Sequence, residues 1–140
     1  MAEQRSATDT GYDLTVSQVA AAARVSASAI RFYETHGLIE SRRTPGNQRR
    51  FGHDAACRVR VIRVCQRVGL SVAEIRDLLR LLPRDRGATA ADWTTLSARL
   101  EAEVRARMDN LRDVLRELSS DTLLCDLPTA DPRSGRYRAR

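Results

Sequence analysis

Residues 15–51 read TVSQVAAAARVSASAIRFYETHGLIESRRTPGNQRRF, and how this stretch folds decides the rest of the chain. Thr15-Val-Ser-Gln18 is a capping box, in which the Thr15 hydroxyl and the Gln18 side chain satisfy each other's exposed backbone amides. Val16, Val19, Ala20 and Ala23 follow at helical spacing, an apolar stripe small enough to admit a close neighbour. Arg24-Val25 makes a turn and Ser26 an N-cap. A second helix then runs from Ala27 to about His36, where Gly37 supplies the left-handed residue that ends it. Ala27, Ile30 and Leu38 are placed to face the first helix, while Ser28 and Arg31 project the other way. Phe32 and Tyr33 are adjacent and cannot share a face, so one belongs to the core and the other to its rim.

Two short helices joined by a tight turn fit a helix-turn-helix unit. The segment that follows sharpens this. Thr44-Pro45-Gly46-Asn47 is a turn tetrad, with Arg42 and Arg43 on one arm and Arg49 and Arg50 on the other. Four arginines in one hairpin repel each other unless an anion shares them. The whole chain, 140 residues with a net charge of +6, carries the same bias. Its 24 basic side chains are all arginine, a planar donor suited to phosphate and guanine, although a uniform absence of lysine reflects coding bias first. Duplex DNA is the expected partner. No apolar run approaches the ~18 residues needed to span a bilayer, and the first residues lack the apolar core of a secretory signal, so a cytoplasmic protein with reduced thiols is expected.

Further along, Asp54 is placed to cap a third helix, with Cys57, Val61, Val64, Cys65 and Val68 as its stripe and Arg58, Arg60, Arg63 and Arg67 on its other faces. Gly69 closes it. Ser71-Val-Ala-Glu74 is a second capping box, opening a fourth helix with Val72, Ile75, Leu78, Leu79 and Leu82 inward. Pro83 starts a connector. Thr89-Ala-Ala-Asp92 caps the last and longest helix, which aligns Trp93, Leu96, Leu100, Val104, Met108, Leu111, Leu115 and Leu118. From Val104 the steps are four, three, four, three, a coiled-coil seam. About 27 helical residues span roughly 40 Å, too long a seam for so small a domain to cover. Burial against an identical helix in a twofold homodimer is therefore expected.

The expected organisation is a disordered lead-in at 1–12, a DNA-binding domain at 13–82, a connector at 83–91, a dimerisation helix at 92–119, and a short C-terminal segment with a basic tail at 120–140. The cysteines, Cys57, Cys65 and Cys125, are odd in number and include no CxxC pair. No nucleophile–base pair, metal-ligand set or phosphate-binding glycine loop stands out, so no enzyme activity and no cofactor are expected.

Val16-Ser-Gln-Val-Ala20, followed by Ile30-Arg-Phe-Tyr-Glu-Thr-His-Gly-Leu-Ile39, resembles the MerR family of transcriptional regulators and its R-[FY]-Y-E-x-x-G-L-I signature. Gly46-Asn-Gln-Arg-Arg-Phe51 is similar to the wing of the SoxR branch, as are Cys65-Gln-Arg-Val-Gly69 and Asp92-Trp-Thr-Thr-Leu-Ser97. The resemblance covers roughly residues 13 to 119. It implies a mainly α fold, a winged helix-turn-helix joined to a long antiparallel coiled-coil helix. It also implies a homodimer that binds a promoter spacer and bends and untwists it, with RNA polymerase at the bound promoter. Such deformation costs several kcal/mol by elastic estimates. Carried onto this chain, Thr15, Ser17, Ser26, Ser28, Arg31, Tyr33, Arg42, Arg43, Asn47, Gln48, Arg49 and Arg50 become the DNA-contact candidates. Ser28 and Arg31 are the ones placed to read bases.

One departure stands out. The SoxR branch follows its dimer helix with four cysteines that hold a [2Fe–2S] centre. The corresponding stretch here, Ser119-Ser-Asp-Thr-Leu-Leu-Cys-Asp-Leu-Pro128, keeps only Cys125, so no iron–sulfur cluster is expected. Two further readings stay open: a sensor of a small molecule or oxidant at the dimer junction around Trp93, Leu123 and Cys125, and an architectural DNA-coating protein.

Overall fold

The computed structural model describes residues 11–120. Their element order is β1 (Tyr12–Leu14), α1 (Val16–Ala23), α2 (Ala27–Thr35), β2 (Ser41–Arg43), β3 (Arg49–Gly52), α3 (Ala55–Val68), α4 (Val72–Leu79) and α5 (Ala90–Leu118). The capping boxes form as their residues dictate. Gln18 N donates to Thr15 Oγ1 at 3.2 Å and Thr15 N to Gln18 Oε1 at 2.8 Å; Ser71 and Glu74 repeat the exchange at the start of α4. At the third box Asp92 Oδ2 accepts from both Thr89 N and Thr89 Oγ1 at 2.8 Å.

The α1–α2 turn is tight because Arg24 adopts a left-handed backbone, φ 56°. Val25 N then reaches back to Ala20 O at 3.0 Å. Gly37, at φ 69°, ends α2, and Leu38 N returns to Tyr33 O at 2.9 Å. In the β2–β3 hairpin Arg42 lies opposite Arg50 and Arg43 opposite Arg49. Its left-handed residue is Asn47, φ 61°, and Gly46 is not left-handed. With Asn47 N donating to Thr44 O at 2.8 Å, this is the turn-plus-bulge geometry of a three-residue hairpin loop.

Three expectations need correction. First, the lead-in does not run to residue 12: Tyr12 belongs to β1, which pairs with β3 and makes the sheet order β1-β3-β2. A three-residue strand offers no alternation long enough to read from sequence. Residues 1–10 of the expected lead-in lie outside the described residues.

Second, α3 buries Ala55, Ala56, Val59, Ile62 and Cys65, not the row of Cys57, Val61, Val64, Cys65 and Val68. Of that row only Cys65 is buried; Cys57 and Val64 are exposed, and Val61 and Val68 are half-buried. The helix carries two apolar rows with nearly the same spacing. Which one turns inward is decided by α1, against which α3 packs. Third, Asp54 precedes α3 without capping it. Its carboxylate pairs with Arg58 Nε at 2.8 Å, and Arg58 also donates to Pro83 O, fastening the helix start to the connector.

The core collects Val19, Ile30, Tyr33, Phe51, Val59, Ile62, Cys65, Ile75, Leu79 and Leu96 from α1, α2, β3, α3, α4 and the first turns of α5. Contacts divide the described chain into one unit ending at Glu101 and a second starting at Ala102. In the second unit the helical residues Met108, Leu111, Val114, Leu115 and Leu118 are exposed.

Candidate nucleic-acid interface

On α2, Ser28, Arg31, Phe32 and Thr35 are exposed at spacings of three and four, which places them on one outward face. Arg31 has no hydrogen-bond or ion-pair partner among the described residues, so its five donors are free. Phe32, 43% exposed, tilts against the His36 ring with centroids 4.0 Å apart. Neither it nor Thr35 is among the DNA-contact candidates that the sequence offers. The i, i+3, i+4, i+7 period starting at Ser28 is the signal that identifies them. Ser26 is occupied as the α2 N-cap, its Oγ accepting Ala29 N, and Thr15 is occupied likewise at α1; Ser17 is exposed.

Tyr33, a phosphate-contact candidate from sequence, sits elsewhere. Its ring is buried and its hydroxyl donates to Gln66 Oε1 on α3 at 3.1 Å. It is the core member of the Phe32–Tyr33 pair, and Phe32 is the rim member. The Tyr33 hydroxyl is one of several braces on α2. Arg76 of α4 donates through Nη2 to His36 O at 2.6 Å, satisfying a carbonyl at the helix end. Glu34 holds the hairpin: its Oε1 accepts the Ser41 hydroxyl of β2, and its Oε2 lies 2.9 Å from Arg49 Nε of β3. That last contact has the distance of an ion pair, but the Nε–H is not aimed along the line to the oxygen. The recognition-helix candidate is thus fastened to α3, to α4 and to the hairpin, by the consecutive residues Tyr33 and Glu34 and by His36 O.

The other hairpin arginines are each held by a neighbour. Arg42 stacks over the Tyr12 ring at 4.2 Å. Arg43 Nη1 donates to Asn47 O and Oδ1, both at 3.0 Å, bracing the turn. Arg50 Nη2 donates to Gln48 Oε1 at 2.9 Å. A guanidinium has more donors than these contacts use, so each can still meet an anion from a fixed position. Among the described residues only one carboxylate, Glu34, pairs with any of the four. A second cationic group flanks the α1–α2 turn: Arg60 and Arg63 donate to Ala22 O and Arg24 O, and with Arg24 and Arg67 they line a depression of about 420 Å³ that no carboxylate among the described residues lines.

The residues expected at a dimer seam divide. Leu96 is buried in the core of the first unit, and Trp93 and Leu100 are packed against that core. Its own domain covers Leu96, which removes it from the seam, whereas Trp93 and Leu100 are half-buried. Val104 is half-buried; Met108, Leu111, Leu115 and Leu118 are exposed, joined by Val114, which the sequence pattern had not included. Burial pushes the Cys65 thiol above its usual pKa, which keeps it protonated and inert. No group of three or more metal-ligating side chains occurs among the described residues, and no described helix is long and apolar enough to cross a membrane. Cys125, with Leu123, Leu124, Leu127 and the basic tail, lies outside the described residues.

Comparison with known proteins places this geometry among regulators. Residues 14–82 match the description "MerR HTH family regulatory protein", and residues 57–120 match "MerR, DNA binding". The chain is 41% identical over 105 residues to an HTH-type transcriptional activator SoxR homolog of Chromobacterium violaceum, covering 73% of this chain and 71% of that protein. It is 35% identical over 114 residues to a mercuric resistance operon regulatory protein of Serratia marcescens, covering 81% and 77%. Among solved structures, a MerR family transcriptional regulator from Listeria monocytogenes superposes with a TM-score of 0.52 at 29% identity, over 76% of this chain and 80% of that one.

Proposed function

The chain belongs to the MerR family of DNA-binding transcriptional regulators, and from that premise we propose how it works. It binds a pseudo-palindromic promoter spacer as a homodimer, with α2 in the major groove and the β2–β3 wing on the flanking backbone. Bending and untwisting the spacer brings the promoter elements into register for RNA polymerase. The observation that carries this reading is the outward face of α2, with Arg31 unpartnered among the described residues, on a helix braced to a wing of four pre-positioned arginines. Ser28, Arg31, Phe32 and Thr35 face bases, with Arg31 suited to guanine and Phe32 to a thymine methyl. Arg42, Arg43, Asn47, Gln48, Arg49 and Arg50 hold phosphates, which fixes register without reading sequence. Tyr33 leaves this set, because its ring is a core element and its hydroxyl is engaged by Gln66.

Dimerisation is supported by the apolar line Met108, Leu111, Val114, Leu115 and Leu118, whose exposure in a lone chain is hydrophobically costly. A partner copy running antiparallel covers it and sets the spacing of two α2 helices. A promoter-binding regulator works in the cytoplasm, where its DNA is.

The iron–sulfur centre of the SoxR branch does not fit this chain's donors. Three cysteines are too few for a four-thiolate site, and Cys65 is sealed in the core with Cys57 on the same helix. No observation favours a sensor at Trp93, which packs on its own domain.

In vitro selection from random duplex DNA with the full chain tests the reading. Enrichment of an inverted repeat with a fixed half-site spacing is expected. A pool that stays random after repeated rounds would overturn it.

A further inference from the structure

We infer that Glu34, an acidic residue between two DNA-facing elements, is a positioning residue for DNA binding: it aims the wing through Arg49 and ties the wing's geometry to the recognition helix. This rests on the DNA-binding reading above and deepens it. Glu34 is the next residue but one to Phe32 on α2, yet both of its carboxylate oxygens are spent on the hairpin, one on each strand. Ser41 begins β2 and Arg49 begins β3, so the single carboxylate fixes both wing arms to one helix.

On charge alone a carboxylate here is a liability, since it repels the phosphates that Arg49 would meet. Its burial argues for a different use. The Glu34 side chain is 22% exposed and that of Arg49 38% exposed, and the Arg49 Nε is a buried atom without a hydrogen-bond partner, 2.9 Å from this carboxylate. Removing the negative charge releases the ion pair at 2.9 Å and frees a long side chain to reorient. The Arg49 guanidinium keeps its other edge for a phosphate, and that edge is aimed only while Nε is held. Neighbouring contacts do not duplicate the device: Arg43 and Arg50 are braced within the hairpin, to Asn47 and Gln48, and neither is tied to α2.

The two accounts predict opposite signs. If Glu34 is merely a negative charge near DNA, Glu34→Gln tightens binding. If it positions Arg49, the same substitution weakens binding by about tenfold, the size of one charge-assisted contact. The test is a double-mutant cycle in the full-length protein. Glu34→Gln, Arg49→Gln and the double variant are titrated by fluorescence anisotropy against a duplex selected by the wild-type chain. Coupling is expected: once Arg49 is gone, Glu34→Gln costs less than about twofold, whereas in an Arg42→Gln background it keeps its full effect. Ser41→Ala, which loosens the other arm, is expected to weaken binding as well. Thermal melts monitor folding, and a Glu34→Gln chain with wild-type Tm but weakened binding is expected.

Tighter or unchanged DNA binding by Glu34→Gln, or additive effects with Arg49→Gln, would overturn the inference while leaving the DNA-binding reading intact. If Glu34→Gln melts early, Ser41→Ala carries the test, and unchanged binding by that variant overturns the inference. A wild-type chain that selects no duplex removes both.

Discussion

Leu96 and Leu111 occupy equivalent places in the apolar repeat of α5, yet they should fail in different ways. Leu96 is 1% exposed inside the core of its own domain, whereas Leu111 is 62% exposed. Truncating a buried leucine to alanine costs about 2–5 kcal/mol in lost transfer energy and residual cavity. With roughly 4–8 °C of Tm per kcal/mol in a domain of this size, Leu96→Ala should lower Tm by roughly 12–24 °C for a loss of about 3 kcal/mol. That loss should not depend on protein concentration, because the contacts lie within one chain.

Leu111→Ala removes little from the isolated chain, on the order of 1 kcal/mol or less. Across a twofold axis, however, each substitution acts twice. Burying the pair would contribute about 3–6 kcal/mol, so the dimer should weaken by roughly 10²- to 10⁴-fold. Circular-dichroism melts over a hundredfold range of concentration, with sedimentation equilibrium for the dimer constant, separate the two. A Leu96→Ala variant whose Tm moves by less than about 2 °C would refute the assignment of α5's first turns to the core. So would a Leu111→Ala variant that loses as much as Leu96→Ala at every concentration and leaves the dimer constant unchanged.

Other substitutions probe the braces around the interface. Tyr33→Phe deletes the hydroxyl bonded to Gln66 and should cost about 1 kcal/mol of stability, with the salt dependence of DNA binding unchanged; a shallower salt slope would return Tyr33 to the phosphate contacts. Arg24→Gly relieves a left-handed arginine while keeping the backbone carbonyl that Arg63 uses, so it should stabilise by about 1 kcal/mol; a lowered Tm would contradict this. The Arg86 guanidinium and the Thr89 amide and hydroxyl hold the Asp92 carboxyl well below the usual carboxylate range. A carboxyl depressed in the folded state contributes stability above its unfolded value, near pH 4, and loses it as pH falls toward the folded one. The stability gap between wild type and Asp92→Asn, read from urea midpoints, should therefore shrink steadily below about pH 4. A gap that stays constant down to pH 3 would contradict the cap.

What could be read from sequence was what is local. Capping boxes use residues three apart, so Thr15–Gln18, Ser71–Glu74 and Thr89–Asp92 announce helix starts without any tertiary knowledge. The wing announced itself by a turn flanked with arginines. The misreadings concern choices that only a neighbour settles. On α3 the row Cys57, Val61, Val64 and Val68 is at least as regular as the buried one, and α1 decides between them. Hydropathy alone favours Phe32 over Tyr33 as the inward residue, yet Gln66, 33 residues further on, gives the buried tyrosine hydroxyl its partner. Leu96 fits the coiled-coil line, but the domain reaches it first. The bond from Glu34 to both wing strands had no local signal, because acidic residues on an amphipathic helix are ordinarily solvated. The same holds for the pairing of β1 with β3, which depends on a strand of three residues.

The central claim is that α2 reads bases while the arginine wing grips backbone, and one ratio tests it most directly. The affinity of the full chain for its selected duplex is compared with that for a scrambled duplex of equal length, both at the same physiological salt. A sequence-reading α2 predicts a preference of at least ~10³-fold, reduced in Arg31→Ala far more than in Arg42→Ala. A ratio near one, with both variants losing affinity equally for either duplex, would mean that the chain grips DNA without reading it.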